Sequence, residues 1–222
     1  MEFTNWKNQY IDLVGTKPKY IGATKLEIPQ DEIKKVVLSR AKEFNEICVE
    51  LGCGSGEHLV EQARRNPNNF YIGFELRFKR VYRTAEKAEE KCLDNLVVVQ
   101  GDAKLLTKIF DPSSLGAVFV NFPDPWAKRR WRKHRLLSDS FLSEIFSVLK
   151  PLGYLSYKSD HPEYFTETLK MLQDMPQTAV EFVTSDLYAS VRSDGNIPSE
   201  FEKLFRTQGL PIHSLIAKKL AD

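Results

Sequence analysis

The sequence has few cysteines, and their spacing excludes a disulfide framework. Cys48, Cys53 and Cys92 are odd in number and show no Cys-x-x-Cys spacing. Cys48 and Cys53 are expected to pack as small apolar residues in or beside a buried strand. The four histidines are scattered, with no pair at ligand spacing. We therefore expect no metal site.

Long apolar runs are also lacking. No segment approaches the roughly 20 apolar residues that a membrane-spanning helix needs. Residues 1–10 are polar and do not contain the apolar core of a signal peptide. The sequence therefore predicts a cytoplasmic protein with no membrane partner.

Net charge is small, but the charge is unevenly distributed. The 222 residues carry a net charge of only +2, with 42% hydrophobic and 28% charged residues, an ordinary globular balance. The segment 128–135, with the sequence KRRWRKHR, nevertheless holds six Lys or Arg side chains around Trp131. A cluster of this kind indicates a polyanionic partner, even in a nearly neutral chain.

Strand patterns alternate with helix patterns along most of the chain. Apolar runs predict strands at 47–51, 70–74, 96–99, 115–122 and 153–158. Amphipathic patterns predict helices at 55–66, 77–92, 138–149 and 162–175. The alternation indicates an α/β fold, with a mostly parallel sheet and helices on both of its faces.

The two ends of the chain differ from this pattern. An amphipathic helix is expected at 31–44, within an N-terminal helical segment 1–44. The core, 45–222, ends in two strands, 179–184 and 211–218, which could pair antiparallel at the sheet edge. The polar segment between them, 185–209, is long enough to suggest a functional loop. The length fits one domain over 1–222.

Acidic side chains follow successive strands of the predicted sheet, at the edge where open α/β sheets bind ligands. Glu50 begins a Gly52-Cys53-Gly54-Ser55-Gly56 loop, Glu75 ends the second strand, and Asp102 follows the third. Carboxylates here would repel a pyrophosphate, and Glu57 replaces the third glycine of the dinucleotide fingerprint. S-adenosylmethionine carries a sulfonium and an ammonium, so the acids favour it as cofactor.

A rigid acidic turn follows the most hydrophobic strand. Pro123 and Pro125 flank Asp124 and restrict the backbone on both sides. A carboxylate held in this way suits a site where orientation matters, although an Asp-Pro turn can also simply end a strand. The aromatic and basic residues that follow favour the functional interpretation.

From about Lys42 onward the chain resembles the bacterial tRNA (guanine-N7-)-methyltransferases. The specific part is Phe122-Pro123-Asp124-Pro125-Trp126 with its basic continuation through Arg135. The resemblance implies a Rossmann-like class I methyltransferase, S-adenosylmethionine as cofactor, and N7-methylguanine in the tRNA variable loop as product. It implies no obligate protein subunit, so we expect a monomer or homodimer.

The resemblance also implies roles for individual residues. The expected cofactor-binding residues are Glu50, Gly52, Gly54, Gly56, Glu75, Asp102 and Asp124. Asp124 is expected to be catalytic by orienting the base, since N7 needs no general base and positioning dominates. Substrate contacts are expected from Lys128, Asp160, Ser199, Phe201 and Glu202. RNA contacts are expected from Arg129, Arg130, Trp131, Arg132, Lys133 and Arg135.

Two features of this region leave alternatives open. Glu200 stands where relatives often have a basic residue. Ser199 and Glu202 have the spacing of a helix capping box, which is compatible with a substrate role. The competing functions are an amino-group methyltransferase, which often carries an Asn/Asp-Pro-Pro-aromatic turn, and a non-catalytic RNA-binding subunit. A nicotinamide dehydrogenase fits less well.

Overall fold

The computed structural model describes residues 8–24 and 30–221. Residues 1–7 and 25–29, in the predicted N-terminal segment, lie outside them. The described strands are β1 (Ile21–Thr24), β2 (Glu46–Leu51), β3 (Asn69–Glu75), β4 (Leu96–Gln100), β5 (Leu115–Asn121), β6 (Leu149–Ser159), β7 (Thr178–Thr184) and β8 (His213–Lys219). The described helices are α1 (Gln9–Val14), α2 (Gln30–Ala41), α3 (Glu57–Arg65), α4 (Phe78–Glu90), α5 (Leu106–Ile109), α6 (Asp139–Val148), α7 (Pro162–Asp174) and α8 (Glu200–Thr207).

All eight strands form one sheet in the order β1-β4-β3-β2-β5-β6-β8-β7. Strands β1 to β6 pair in parallel, whereas β8 runs antiparallel to both β6 and β7. The predicted mostly parallel sheet with an antiparallel C-terminal edge is therefore confirmed. Strand β2 lies between β3 and β5, so the strand order reverses beside it. Such a reversal opens a ligand-binding crevice at the carboxyl ends of the strands.

Helices cover both faces of the sheet because the central strands are apolar on both sides. In β2, Cys48 packs in the layer beneath α1, α3 and α4, whereas Val49 and Leu51 face the layer beneath α2, α5, α6 and α7. Cys48 and Cys53 are buried, as predicted. No helix in the described part of the chain is both long and apolar enough to cross a bilayer.

The structure differs from the predicted elements in several places, and helix α5 is one that was not predicted. The four-residue β1 was not predicted, and it extends the parallel sheet beyond β4. Strand β6 begins at Leu149 rather than 153, with an irregular register where Leu152 adopts a φ of 64°. The segment 185–209 is not a loop throughout, since it contains a short 3₁₀ turn, Leu187–Ala189, and helix α8.

Candidate active site

A tight glycine turn connects β2 to α3. Gly52, Gly54 and Gly56 have φ values of 76°, 58° and 80°, a region that side chains disfavour. A Cβ on Gly56 would lie only 2.6 Å from the Thr84 Cγ2 atom of α4. A Cβ on Gly52 would meet no atom within 4 Å, because this residue borders a pocket. The turn thus leaves backbone open to a ligand.

Glu50 forms the floor of that pocket and is only 2% exposed. Its Oε1 atom accepts a hydrogen bond of 2.8 Å from Asn121 Nδ2, at the end of β5. Its Oε2 atom lies 3.1 Å from Nδ1 of His58, on α3. Neighbouring strands and the following helix therefore fix the orientation of this carboxylate.

The imidazole of His58 is held at both ring nitrogens. Its Nδ1 atom contacts Glu50, and its Nε2 atom lies 3.2 Å from Gln62 Nε2. Asn66 Nδ2 donates to Gln62 Oε1 at 3.4 Å and so restrains the Gln62 amide. Within the described ranges no lysine or arginine forms an ion pair with Glu50.

Glu75 and Asp102 lie at the carboxyl ends of the next two strands in the sheet. Glu75 Oε2 accepts from the Gly54 amide at 3.2 Å, and Oε1 accepts from the Arg77 amide at 2.8 Å. Asp102 Oδ1 accepts from the Lys104 amide at 3.0 Å and caps a 3₁₀ turn. Each carboxylate oxygen can accept a second bond, so the structural role leaves room for a ligand.

The pocket is closed by a segment that is far away in sequence. Its lining residues are Glu50, Gly52, Cys53, Gly54, Ser55, Glu57, His58, Asn121, Ser199, Glu200 and Phe201. The last three come from the beginning of α8, so two of the predicted substrate-binding residues adjoin the predicted cofactor turn. Asn121 Oδ1 is buried beside the pocket and has no partner among the described residues.

Asp124 lies in an exposed turn after β5. Phe122 and Trp126 adopt φ values of 52° and 42°, so left-handed residues flank the Pro-Asp-Pro segment. Bulky residues rarely adopt this conformation, which costs on the order of 1–3 kcal/mol and is found mostly at functional sites. Within the described structure the Asp124 carboxylate has no hydrogen-bond partner, which leaves it available to a ligand.

The basic segment folds as a 3₁₀ helix, Arg129–His134, directly after this turn. Four of its cationic side chains are exposed: Lys128, Arg129, Arg130 and Lys133. Trp131 is 37% exposed, with Lys128 Nζ at 4.8 Å and Arg130 Cζ at 4.9 Å from its ring centroid. An exposed ring among exposed cations suits a nucleotide and its phosphates.

Two arginines of the segment face the protein instead. Arg135 is only 7% exposed; its Nε donates to the Pro125 carbonyl at 2.7 Å, and it pairs with Glu167 of α7. Arg132 bonds Glu167 at 2.8 Å and Glu163 at 2.5 Å. These two arginines form intramolecular ion pairs because α7 packs against the basic segment. An RNA contact of either arginine stays a prediction.

Glu202 forms the capping box that its spacing with Ser199 predicts. It is fully buried, and with Ser199 it forms the capping box of α8, with bonds of 3.2 Å and 3.4 Å. Its carboxylate also binds Lys158 and Tyr188. In this structure Glu202 therefore stabilises the beginning of α8.

Asp160 follows β6 and is half-buried near His213 of β8. Burial lowers the pKa of His213, and the negative charges of Asp160 and Asp186 partly oppose that effect. Asp160 does not line the pocket beside Glu50. It lies after β6, the strand next to β5 in the sheet.

The sequence did not reveal several residues that build the site. His58 and Asn121 hold Glu50, while Lys158, Tyr188 and Asn196 hold Glu202. Of these residues, only Asn121 could be recognised from the sequence, because it lies at the end of a strand beside the acidic turn. The others meet Glu50 or Glu202 only through tertiary packing.

Comparison with known proteins agrees with this geometry. A protein-family model described as "Putative methyltransferase" matches residues 44–215. The tRNA (guanine-N(7)-)-methyltransferase of Lachnoclostridium phytofermentans is 38% identical over 78% of this chain and 80% of its own. The tRNA (guanine-N(7)-)-methyltransferase of Lactiplantibacillus plantarum is 32% identical over 90% of this chain and 94% of its own length.

The chain belongs to the tRNA (guanine-N7-)-methyltransferase family. The predicted family, enzyme class and S-adenosylmethionine cofactor are thereby confirmed. The solved structure of the 16S rRNA methyltransferase KamB matches with a TM-score of 0.64 at 14% identity, covering 91% of this chain and 99% of that one. This match confirms the Rossmann-like class I methyltransferase fold.

Proposed function

We propose that this enzyme transfers a methyl group from S-adenosylmethionine to N7 of a guanine in the variable loop of tRNA. The observation that carries the proposal is the exposed Asp124 turn, which in sequence joins Asn121 of the Glu50 pocket to the exposed cations that begin at Lys128. The relatives that match over most of their length are named tRNA (guanine-N(7)-)-methyltransferases, which supports tRNA as the substrate.

The pocket fits the cofactor in charge and in hydrogen bonding. Glu50 is buried, and no lysine or arginine of the described residues forms an ion pair with it, so a cation in the ligand would offset the desolvation of this carboxylate. The unpartnered Asn121 Oδ1 can accept from the same cation. The α-ammonium group of the methionine moiety meets both requirements, and Glu75 and Asp102 have free acceptor positions for the nucleoside moiety.

When it is bound, S-adenosylmethionine supplies a methyl group on a positively charged sulfur. The target N7 atom has an in-plane lone pair and loses no proton, so the protein need only orient the base. Asp124 can accept from the N1 and N2 hydrogens of guanine, while Lys128 meets an adjacent phosphate. Orientation of this kind can supply on the order of 7–11 kcal/mol.

The same geometry suggests how tRNA binds. Arg129, Arg130 and Lys133 extend the cationic surface from Lys128, and Trp131 offers a ring for a base to stack on. Asp160, after the next strand, would contact the base or sugar. We further propose that the chain acts as a single domain in the cytoplasm, as a monomer or homodimer.

Methyl transfer to an unmodified tRNA transcript tests the proposal. With methyl-labelled cofactor, the expected product is N7-methylguanosine in the variable loop, identified by mass spectrometry. Asp124→Asn should lower kcat strongly while S-adenosylhomocysteine and tRNA still bind. Label on an exocyclic amino group, or full turnover by Asp124→Asn, would contradict the proposal.

A further inference from the structure

Helix α8 forms a wall of the cofactor pocket although it is distant in sequence from the glycine turn. Ser199, Glu200 and Phe201 line the same pocket as Gly52 and Gly54. The position of α8 therefore determines whether the pocket is closed on that side. The contacts that hold α8 in place therefore also determine the shape of the pocket.

A buried ion pair joins α8 to the end of β6. Lys158 Nζ donates to Glu202 Oε2 at 2.9 Å, to Asn196 Oδ1 at 2.6 Å and to the Ile197 carbonyl at 2.9 Å. These bonds use all three ammonium hydrogens. The side chains of Lys158 and Glu202 are only 6% and 0% exposed. Burial lowers the pKa of Lys158, and the charge of Glu202 opposes this shift.

The second oxygen of Glu202 is occupied as well. Glu202 Oε1 accepts from Tyr188 Oη at 2.7 Å and from Asn196 Nδ2, while Oε2 also accepts from the Ser199 amide. The carboxylate therefore binds the segment before α8 at both oxygens. It has no exposed surface that a guanine could reach.

The other contacts of α8 are more exposed. Lys203 pairs with Glu57 at 2.9 Å on the surface, and Phe205 packs 5.4 Å from Phe122 between ring centroids. Exposed ion pairs contribute little, roughly 0–1 kcal/mol. Buried pairs cost several-fold more when one partner is removed, because an uncompensated charge remains.

We propose that Lys158 and Glu202 are positioning residues that fix α8 against β6, so that Ser199 and Phe201 close the cofactor pocket, and that Glu202 does not contact the guanine. The inference rests on the proposed function, since it concerns the same site. It assigns Lys158 a role and moves Glu202 from substrate recognition to the construction of the pocket.

A double-mutant cycle tests this inference without tRNA. Lys158→Met and Glu202→Gln each leave one charge buried and unpaired, so each should weaken S-adenosylhomocysteine binding at least about tenfold by calorimetry. Each should also speed proteolytic cleavage within 185–209. The double variant, which removes both charges, should recover both properties to within about threefold of wild type. Its surface counterpart, Lys218→Met with Glu181→Gln, should change neither readout.

Two outcomes would overturn the inference. One is a double variant no better than Glu202→Gln. The other is a Glu202→Gln enzyme that binds S-adenosylhomocysteine and resists protease normally but fails to methylate tRNA, as expected for a guanine contact. Absence of N7 methylation by the wild type would contradict only the proposed substrate, because neither readout uses tRNA.

A milder variant covers the case in which the single variants do not fold. Tyr188→Phe removes one hydrogen bond to Glu202 and leaves both charges paired. We expect a loss of about three- to tenfold in S-adenosylhomocysteine affinity, which corresponds to one hydrogen bond. Unchanged affinity in Tyr188→Phe would also contradict the inference.

Discussion

The Glu50 carboxylate lies in the interior, where the side chains of His58 and Asn121 hold it. A buried charge normally has an opposite charge beside it, because desolvation costs several kcal/mol. Lys158 is close enough to interact with Glu50 electrostatically, but it forms its bonds to Glu202, Asn196 and Ile197. At the scale of single residues, the site is therefore prepared for a cation in its ligand.

Asn121→Ala should weaken binding of the amino acid moiety in particular. The change removes the unpartnered Oδ1 atom and one donor that orients Glu50. A hydrogen bond to a charged group contributes about 1.5–3 kcal/mol, so the Kd for S-adenosylhomocysteine should rise roughly ten- to a hundredfold. The Kd for 5′-methylthioadenosine, which lacks the amino acid moiety, should stay nearly constant. Calorimetry with both ligands measures the two Kd values. An equal loss of affinity for both ligands would indicate general damage to the pocket and contradict this prediction.

Arg135 and Arg130 belong to one basic segment but have opposite environments. Arg135 donates to the Pro125 carbonyl and lies 4.5 Å from the ring centroid of Tyr164. Arg130 is exposed beside Trp131. Burial thus divides the segment into a part that faces the protein and a part that faces the solvent.

Arg135→Met should lower the free energy of unfolding by about 1–3 kcal/mol, because a buried guanidinium loses its hydrogen bond to Pro125 and its bond to the partly exposed Glu167. Arg130→Met should change it by no more than about 0.5 kcal/mol. Arg130→Met should instead weaken tRNA binding. Urea unfolding and a tRNA binding assay measure both effects. Equal stability of the two variants would contradict the structural role of Arg135.

These residues mark what the sequence could predict. The Glu50 acid, the glycine turn and Asp124 were predictable because their spacing within a few residues carries the signal. The motifs that contain Glu202 and Arg135 predict contacts to substrate and to RNA. Their burial depends on Lys158 and Glu167, which tertiary packing brings to them. A single sequence holds no local sign of such pairs.

At the scale of elements, the 3₁₀ segment Arg129–His134 presents cations on a short, rigid support. Arg132 ties it to α7 through Glu163 and Glu167, so its exposed side chains keep a fixed relation to Asp124. This arrangement should make tRNA binding depend strongly on salt, because phosphate contacts release counterions.

The double variant Arg129→Gln, Arg130→Gln should reduce that salt dependence. Each phosphate contact contributes roughly −0.7 to −0.9 to the slope of log K against log salt. Loss of two contacts should therefore make the slope less steep by about 1.5. Binding titrations between about 50 and 300 mM salt give the slope. The matched double variant Arg64→Gln, Arg65→Gln, which removes the same charge from the surface of α3, should leave the slope nearly unchanged. A change as large as in the first double variant would contradict the assignment.

The elements that escaped prediction share a physical reason. Strand β1 has four residues and forms because β4 offers an unpaired parallel edge. Helix α8 is short and rich in polar residues, so its sequence is typical of a loop. The helix is stabilised by the buried pair of Glu202 with Lys158, which only the folded chain brings together. Long, periodic elements such as β5 and α7 were predicted because their own apolar patterns suffice.

At the scale of the whole molecule, α8 links parts of the chain that meet only through folding. Lys203 on α8 and Lys87 on α4 both pair with Glu57, at the start of α3. These two cations lower the pKa of Glu57 to about 2. The carboxylate thus joins the pocket wall to the glycine turn.

The Glu57 link predicts an acid-sensitive contribution to stability. Because the folded pKa of about 2 lies below the unfolded value near 4.5, ionised Glu57 stabilises the fold above about pH 4.5. That contribution is lost as the pH falls toward 2. The stability difference between wild type and Glu57→Gln should thus be constant near neutral pH and shrink across this window in urea titrations.

Glu61→Gln is the matched control for this prediction. The pKa of Glu61 is also lowered to about 2, but by Arg64 and Arg65 of its own helix. Both variants should lose stability with the same dependence on pH. Only Glu57→Gln should also speed hydrogen exchange of the α8 amides, since only Glu57 holds Lys203. Faster α8 exchange in Glu61→Gln, or unchanged exchange in Glu57→Gln, would show that the pair does not restrain the wall of the pocket.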